Sequence, residues 1–235
     1  MTQGQNRVVV VTGAYGALGT AVAQAFDRTG AHVALIDLSQ PSAEVQATFA
    51  GSRHLVLGGA DLANVEATRK AMAAIAMRFG GIDVLVNVAG GFRWEKIEDG
   101  DVDTWDAMYA MNLRSAVVSC KAVLPAMLER GGGRIINIGA GAAAKAGLGM
   151  GAYTASKSGV QRLTEALAEE LKDRHITVNA ILPGIIDTPR NRLDMPSADF
   201  TRWVSPAEIA SVIVFLASDE ASAVTGAAIP VSGRG

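Results

Sequence analysis

The chain has 235 residues, 49% of them hydrophobic and 19% charged, with a formal net charge of -2. That balance describes a compact globular protein with a large core and excludes a disordered or fibrous chain. The near-neutral charge, with Lys and Arg scattered singly, excludes a basic surface for nucleic acid or an anionic membrane and leaves a small-molecule substrate as the expected partner.

In chain order, polar Met1 to Asn6 lead through Arg7 into the apolar run Val8–Thr12. The run is strand-length and lacks the flanks of a secretion signal. No stretch approaches the roughly 18 apolar residues of a membrane span, so a cytoplasmic protein is expected. A helix is predicted over Ala17–Thr29, a strand over His32–Ile36, a strand over His54–Leu57, a helix over Val65–Phe79 and a strand over Val84–Val88. One long helix, Trp105–Glu129, carries the single cysteine, Cys120, which rules out an intrachain disulfide and is expected to be buried. A turn at Gly131–Gly133 precedes a strand over Arg134–Ile138, then a helix over Tyr153–Asp173 and a strand over Thr177–Leu182. The stretch 184–204, with Pro189 and Pro196, has no period and reads as a substrate flap. Ser205 caps a helix over Pro206–Ser218, and Ala228–Val231 is the last strand. Short β-branched runs alternating with helical segments mean βαβ units and a parallel sheet. Without repeats or linkers, residues 1–235 are expected to form one domain.

Two constellations carry chemistry. Thr12-Gly13-Ala14-Tyr15-Gly16-Ala17-Leu18-Gly19 stands between the first strand and first helix. Glycines at that spacing permit a tight turn and close approach of a pyrophosphate to the helix N-terminus, where free N–H groups and the helix dipole favour an anion. Asp37, closing the second strand, is placed to accept hydrogen bonds from the adenosine ribose and to repel a 2′-phosphate. Leu38-Ser39-Gln40 supply no cation, so NAD(H) is expected over NADP(H). The second constellation is Tyr153 and Lys157, four residues apart and hence on one helix face. A neighbouring cation favours a phenolate, and moving the phenol from about 10 to about 7 corresponds to roughly 4 kcal/mol.

The glycine turn, Asp37, Asp61-Leu62, Asn87-Val88-Ala89-Gly90, Asn112, Tyr153-x-x-x-Lys157 and Pro183-Gly184 together give the chain a pattern that resembles the short-chain dehydrogenase/reductase family over nearly its whole length. The resemblance implies an α/β Rossmann fold: a doubly wound, seven-stranded parallel sheet with helices on both faces. It also implies an NAD(P)-dependent oxidoreductase acting on a small carbonyl, alcohol or conjugated imine, with Tyr153 as acid/base. On it, Gly13, Tyr15, Gly16, Leu18 and Gly19 hold the pyrophosphate, and Asp37, Leu38, Asp61 and Leu62 hold the adenosine. Asn87, Ala89 and Gly90 line the cofactor. Lys157 holds the nicotinamide ribose, Asn112 a relay water, and Pro183, Gly184, Ile186 and Thr188 the nicotinamide end. The resemblance further implies a homodimer or homotetramer through the two long helices.

The chain departs from that pattern at two places. Its middle turn glycine is at 16, with Ala17 where most members carry the glycine. Position 140, usually a serine that polarises the substrate carbonyl, is Ala140 between Gly139 and Gly141. Removing such a donor typically costs about 2.7 to 4 kcal/mol of transition-state stabilisation. Three explanations remain: another group supplies the hydrogen bond, the substrate needs less polarisation, or the protein has lost catalysis; the second is the most specific. Asp187 to Arg192, Met195-Pro196 and Ala198 to Phe200 with Trp203 look like the corresponding loop of dihydropteridine reductases, whose quinonoid substrate is a conjugated, electron-poor ring. An NADH-dependent quinonoid reductase is thus one alternative, and a catalytically inactive NAD(H)-binding regulatory protein another. No His/Cys/carboxylate cluster has ligand spacing, so no metal is expected, and His32, His54 and His175 read as structural. Phe92, Trp94, Phe200 and Trp203 fall where ligands bind and could stack on a planar substrate or pack the flap.

Overall fold

The computed structural model describes residues 6–234; Met1–Gln5, most of the polar leader, and Gly235 lie outside the described residues. Seven strands form where apolar runs predicted them: β1 Val8–Thr12, β2 His32–Ile36, β3 His54–Leu57, β4 Val84–Asn87, β5 Gly133–Ile138, β6 Ile176–Pro183 and β7 Ala228–Val231. They make one parallel sheet in the order β3-β2-β1-β4-β5-β6-β7. This is the doubly wound Rossmann arrangement.

β1 reads VVVVT with every residue buried because both sheet faces are covered. The pleat sends Val9 and Val11 into one core, with Val22 and Phe26 of helix α1 (Ala17–Arg28) and Ile209 and Ile213 of helix α8 (Pro206–Leu216). Val8 and Val10 face the other core, with Met72 and Ile75 of α3 (Val65–Phe79) and Val123 and Met127 of α5 (Ser115–Glu129). Fully burying a side chain of this size is worth about 1.5–3 kcal/mol.

The helices correct the sequence reading in four places. The single helix predicted at Trp105–Glu129 begins earlier, capped by Asp101, and is three pieces: α4 Val102–Met108, a π-helical turn Tyr109–Arg114, and α5. A π turn inserts a residue without breaking the helix, so apolar periodicity does not reveal it. The stretch 184–204 is not loop throughout: Thr188 caps a short helix α7, Pro189–Asp194, and Ile186 pairs with Val204. Six-residue α2, Ala43–Thr48, capped by Ser42, is too short to register as a period. Helix α6 starts two residues before the predicted Tyr153, running Gly151–Leu171. The Ser205 cap is as expected, and Glu208 completes a capping box.

At the amino ends of the strands, ion pairs close the sheet. Asp83 accepts the Val8 N–H at 2.7 Å and pairs with the Arg130 fork at 2.9 and 3.1 Å, while Arg7 binds Asp219 and the Ala217 carbonyl. Cys120 is buried in α5, where burial pushes its thiol up to about 12, too high for reactivity. His32 stacks on Phe79 and His54 pairs with Asp27 at 2.8 Å, both in structural settings. The carboxyl ends are the open side of the sheet.

Candidate active site

The strand order reverses between β1 and β4, and there a cleft of ≈1780 Å³ opens beyond the carboxyl ends. That exceeds the usual 300–1,000 Å³ of a small-molecule pocket and suits a dinucleotide together with a substrate. Gly13 leaves β1 with φ +59°, and a Cβ there would stand 2.7 Å from Ala89 N and Cα, so only glycine lets the two strand exits touch. Thr12 locks the same contact: its hydroxyl accepts N–H groups of Val88 and Ala89 at 3.1 and 3.2 Å. Gly16 is different. A Cβ there would meet only Gly13 O at 3.6 Å, so the chain's own packing does not demand glycine and the open space belongs to the cleft.

The residues fit a dinucleotide. α2, α3, α4, α7 and α8 each have a side-chain cap, whereas α1, α5 and α6 have none; α1 follows its N-cap Gly16, on the cleft wall, with no acid in its first turn. Its first N–H groups are free to bind an anion from the cleft. Asp37 stands on the next strand, its two oxygens accepting N–H groups of Tyr15 at 3.0 Å and Ser39 at 2.9 Å. These contacts leave lone pairs for ribose hydroxyls and fix the carboxylate on the cleft wall. The Tyr15 phenol is buried without a hydrogen-bond partner and pushed up to about 12, first by burial and then by the Asp37 charge.

Tyr153 and Lys157 lie where β4 and β5 meet α6. Lys157 is buried on α6, one turn after Tyr153, and its ammonium donates to Ile138 O at 2.7 Å. Asn112, placed by the π turn, accepts the Gly91 N–H at 2.8 Å and donates to Gly91 O at 3.1 Å and to Ser156 Oγ at 3.0 Å. Ser156 in turn donates to Tyr153 O at 2.7 Å. The network joins the β4 exit, the π turn and α6 into one unit. Gly90 sits against it: a Cβ there would lie 2.6 Å from Asn112 Oδ1 and 3.2 Å from Lys157 Nζ. The Phe92 ring meets the Tyr153 ring edge-on, centroids 4.9 Å apart.

One expectation is corrected here. Burial raises the Tyr153 phenol above its ordinary value of 10, and burial lowers the Lys157 ammonium to about 8. Desolvation therefore outweighs the attraction that the sequence reading gave to the pair, and the phenol holds its proton at neutral pH in the free chain.

Every predicted cofactor residue except Asn87 lines the cleft. Asn87 is buried behind it, its amide donating to Asn137 Oδ1 at 2.9 Å and Cys120 Sγ at 3.3 Å, so its side chain ties β4 to β5 and α5. Asn112 also lies behind the wall and acts through Gly91 and Ser156. Leu62 and Thr188 do double duty: Leu62 belongs to the core and Thr188 caps α7, yet both line the cleft. The sequence reading gave no role to Thr12 or Ser156, both within the motifs it singled out, because a hydroxyl's partners depend on the fold. Among the aromatics Phe92 reaches the cleft; Phe200 and Trp203 pack on each other in the flap at 4.7 Å. Ala140 lines the cleft beside Gly139, Gly141 and Ala142, and none of the four carries a hydroxyl. Among the described residues no group of three His, Cys, Asp or Glu could hold a metal, and no helix is long and apolar enough to cross a membrane.

A doubly wound sheet with an uncapped first helix, an acid after β2 and a Tyr-Lys pair at the switch point defines a nucleotide-dependent oxidoreductase. Comparison with known proteins agrees. A model of the family described as short chain dehydrogenase matches residues 7–197. D-threitol dehydrogenase of Mycolicibacterium smegmatis is 37% identical over 97% of this chain and 92% of its own. The 3-oxoacyl-[acyl-carrier-protein] reductase of Vibrio cholerae is 32% identical, with 97% of each chain covered. The crystal structure of carveol dehydrogenase from Mycobacterium avium in complex with NAD superposes with a TM-score of 0.89 at 26% identity, covering 99% of this chain and 98% of that one. The chain belongs to the short-chain dehydrogenase/reductase family and is an oxidoreductase.

Proposed function

We propose that the protein transfers a hydride between NAD(H) and a small carbonyl, alcohol or conjugated imine, with Tyr153 as the proton donor and acceptor. The observation that carries this is the buried Lys157 ammonium, held at Ile138 O one helical turn from Tyr153, in the same cleft as the uncapped α1 terminus and Asp37. When bound, the nicotinamide gives or takes the hydride. Tyr153 keeps its proton on Oη at neutral pH and can donate it to an oxygen that becomes negative. Lys157 spends one N–H on Ile138 and has two for ribose hydroxyls. Asn112 positions both through Gly91 and Ser156 and keeps one Oδ1 lone pair for a relay water. Asp37 supports NAD(H) over NADP(H). We further propose that residues 1–235 act as one domain with 184–204 as its flap, and that the protein is cytoplasmic. We also propose a homodimer or homotetramer, supported by the exposed apolar Trp105, Tyr109 and Val117 along α4, the π turn and α5.

Tyr153→Phe tests the reading. Turnover should fall by about 10²- to 10⁴-fold, while NADH affinity measured by fluorescence titration stays within about twofold. Unchanged turnover would remove Tyr153 from the chemistry; a wild type that binds NADH and reduces nothing would leave a binding protein.

Ala140 favours a second, narrower reading. With no hydroxyl at 139–142, substrate polarisation falls to Tyr153, which suits a conjugated imine or quinonoid ring already poor in electrons. The relatives are named for substrates as unlike as a sugar alcohol and an oxoacyl chain, so family membership leaves the substrate open.

A further inference from the structure

Resting on the hydride-transfer reading above, we propose that the substrate end of the cleft takes a neutral, largely apolar ring compound, and that Phe92 is the residue that selects the ring.

Beyond the residues assigned to the nucleotide, the cleft lining includes Phe92, which touches Tyr153, and Ala140, Ala142, Met150, Ile185 and Met195, none able to donate a strong hydrogen bond from its side chain. The flap's polar lining is already engaged, Thr188 accepting the Asn191 N–H and Asn191 donating to Ile186 O. Phe92 is 56% exposed and Ile185 45% exposed although both face the cleft, so their apolar surface is left for a ligand to cover. The charged residues of the flap that reach this end, Arg190 and Asp194, bond each other at 2.9 Å and present no net charge. Lys157 gives one N–H to Ile138 O, and on the hydride-transfer reading its other two serve the ribose. A carboxylate, sulfonate or phosphate would meet at this end one guanidinium already paired with an acid, and a polyhydroxylated chain would meet few free partners for the water it loses.

The shape of the wall selects a ring. Phe92 stands at 85° to the Tyr153 ring, its centroid 4.9 Å away, so a cyclic substrate whose oxygen meets Tyr153 Oη also meets the Phe92 ring. The loop that carries Phe92 is anchored: Trp94 fills the space beside Gly149, and Glu95 N–H donates to Gly149 O at 2.8 Å. That contact ties the Phe92 loop to the residue before Met150, another wall residue. Reduction of a ring ketone here adds a hydride from NADH at the carbonyl carbon and the Tyr153 proton at its oxygen, giving the alcohol and NAD⁺.

The test uses three ketones with NADH: 4-methylcyclohexanone, its near-isostere 4-oxocyclohexanecarboxylate, and the open-chain 2-heptanone. The wild type should favour the neutral ring over the charged one by at least about 100-fold in kcat/KM. Phe92→Ala should narrow the preference for the ring over 2-heptanone by about tenfold. Ile185→Arg, at an exposed position, should narrow the neutral-over-charged preference by about tenfold through a new ion pair. Equal use of charged and neutral rings by the wild type, or a ring preference indifferent to Phe92→Ala, overturns this proposal alone. No reduction of any of the three by a wild type that binds NADH and reduces a quinonoid dihydropterin overturns this proposal alone; failure to reduce the dihydropterin too overturns the hydride-transfer reading as well.

Discussion

The two halves of the cleft are specified by different parts of the chain. In the nucleotide half, from β1 through α1 to Asp37, backbone does most of the work: a left-handed glycine, an uncapped helix start, and a carboxylate held by two main-chain N–H groups. In the substrate half, from the β4 exit through the π turn to α6 and the flap, side chains decide: Asn112, Ser156, Lys157, Tyr153 and Phe92 hold one another. A backbone site depends on a few glycines and tolerates little change at them. The side-chain site can change substrate while its fold stays the same.

The largest expected effect is in the nucleotide half. Gly13→Ala should destabilise the protein by about 3 kcal/mol, since a side chain at φ +59° is strained and its Cβ meets Ala89 backbone. Denaturant unfolding measures this, and the same variant should bind NADH more weakly. Wild-type stability would mean that the two strand exits separate easily and that backbone geometry is not what defines this half.

The next effect probes the substrate half. The Lys157 value of about 8 in the fold lies below its ordinary 10.5, so the folded chain gives up this proton first. Below about pH 8 the full burial penalty is present; between the two values the unfolded state binds more protons and stability rises with pH. Lys157→Met should therefore be more stable than the wild type at pH 7, by on the order of 2 kcal/mol, and the gap should close towards pH 10. Thermal melts across that range read it, and a gap that widens with pH would show that the bond to Ile138 outweighs the burial.

The smallest effect returns to Asp37. The wild type should prefer NADH to NADPH by tenfold or more in kcat/KM, and Asp37→Ala should erase about tenfold of that, roughly 1.4 kcal/mol. An NADPH preference in the wild type would reverse the assignment of this carboxylate.

Much of the nucleotide half was legible from residues alone, because glycine spacing and an acid after a strand are local signals. Tyr153 and Lys157 were legible for the same reason: four residues on a helix share a face in any fold. The partners of Asn87 were not legible, since an asparagine at a strand end reads alike whether its side chain faces the cleft or, as here, Asn137 and Cys120. The π turn and α7 were hidden because neither alters apolar periodicity over a helical window.

What the sequence by itself determined is the alternation of buried strands and helices, the glycine turn, Asp37, the Tyr-Lys spacing and the missing hydroxyl at 140. The order of the strands, the joining of Asn112 to Gly91 and Ser156, the setting of Phe92 against Tyr153 and the direction in which Tyr153 and Lys157 titrate were decided by tertiary structure. Contacts across tens of residues and the desolvation of a charge depend on what the rest of the chain packs around a group, which no local pattern records.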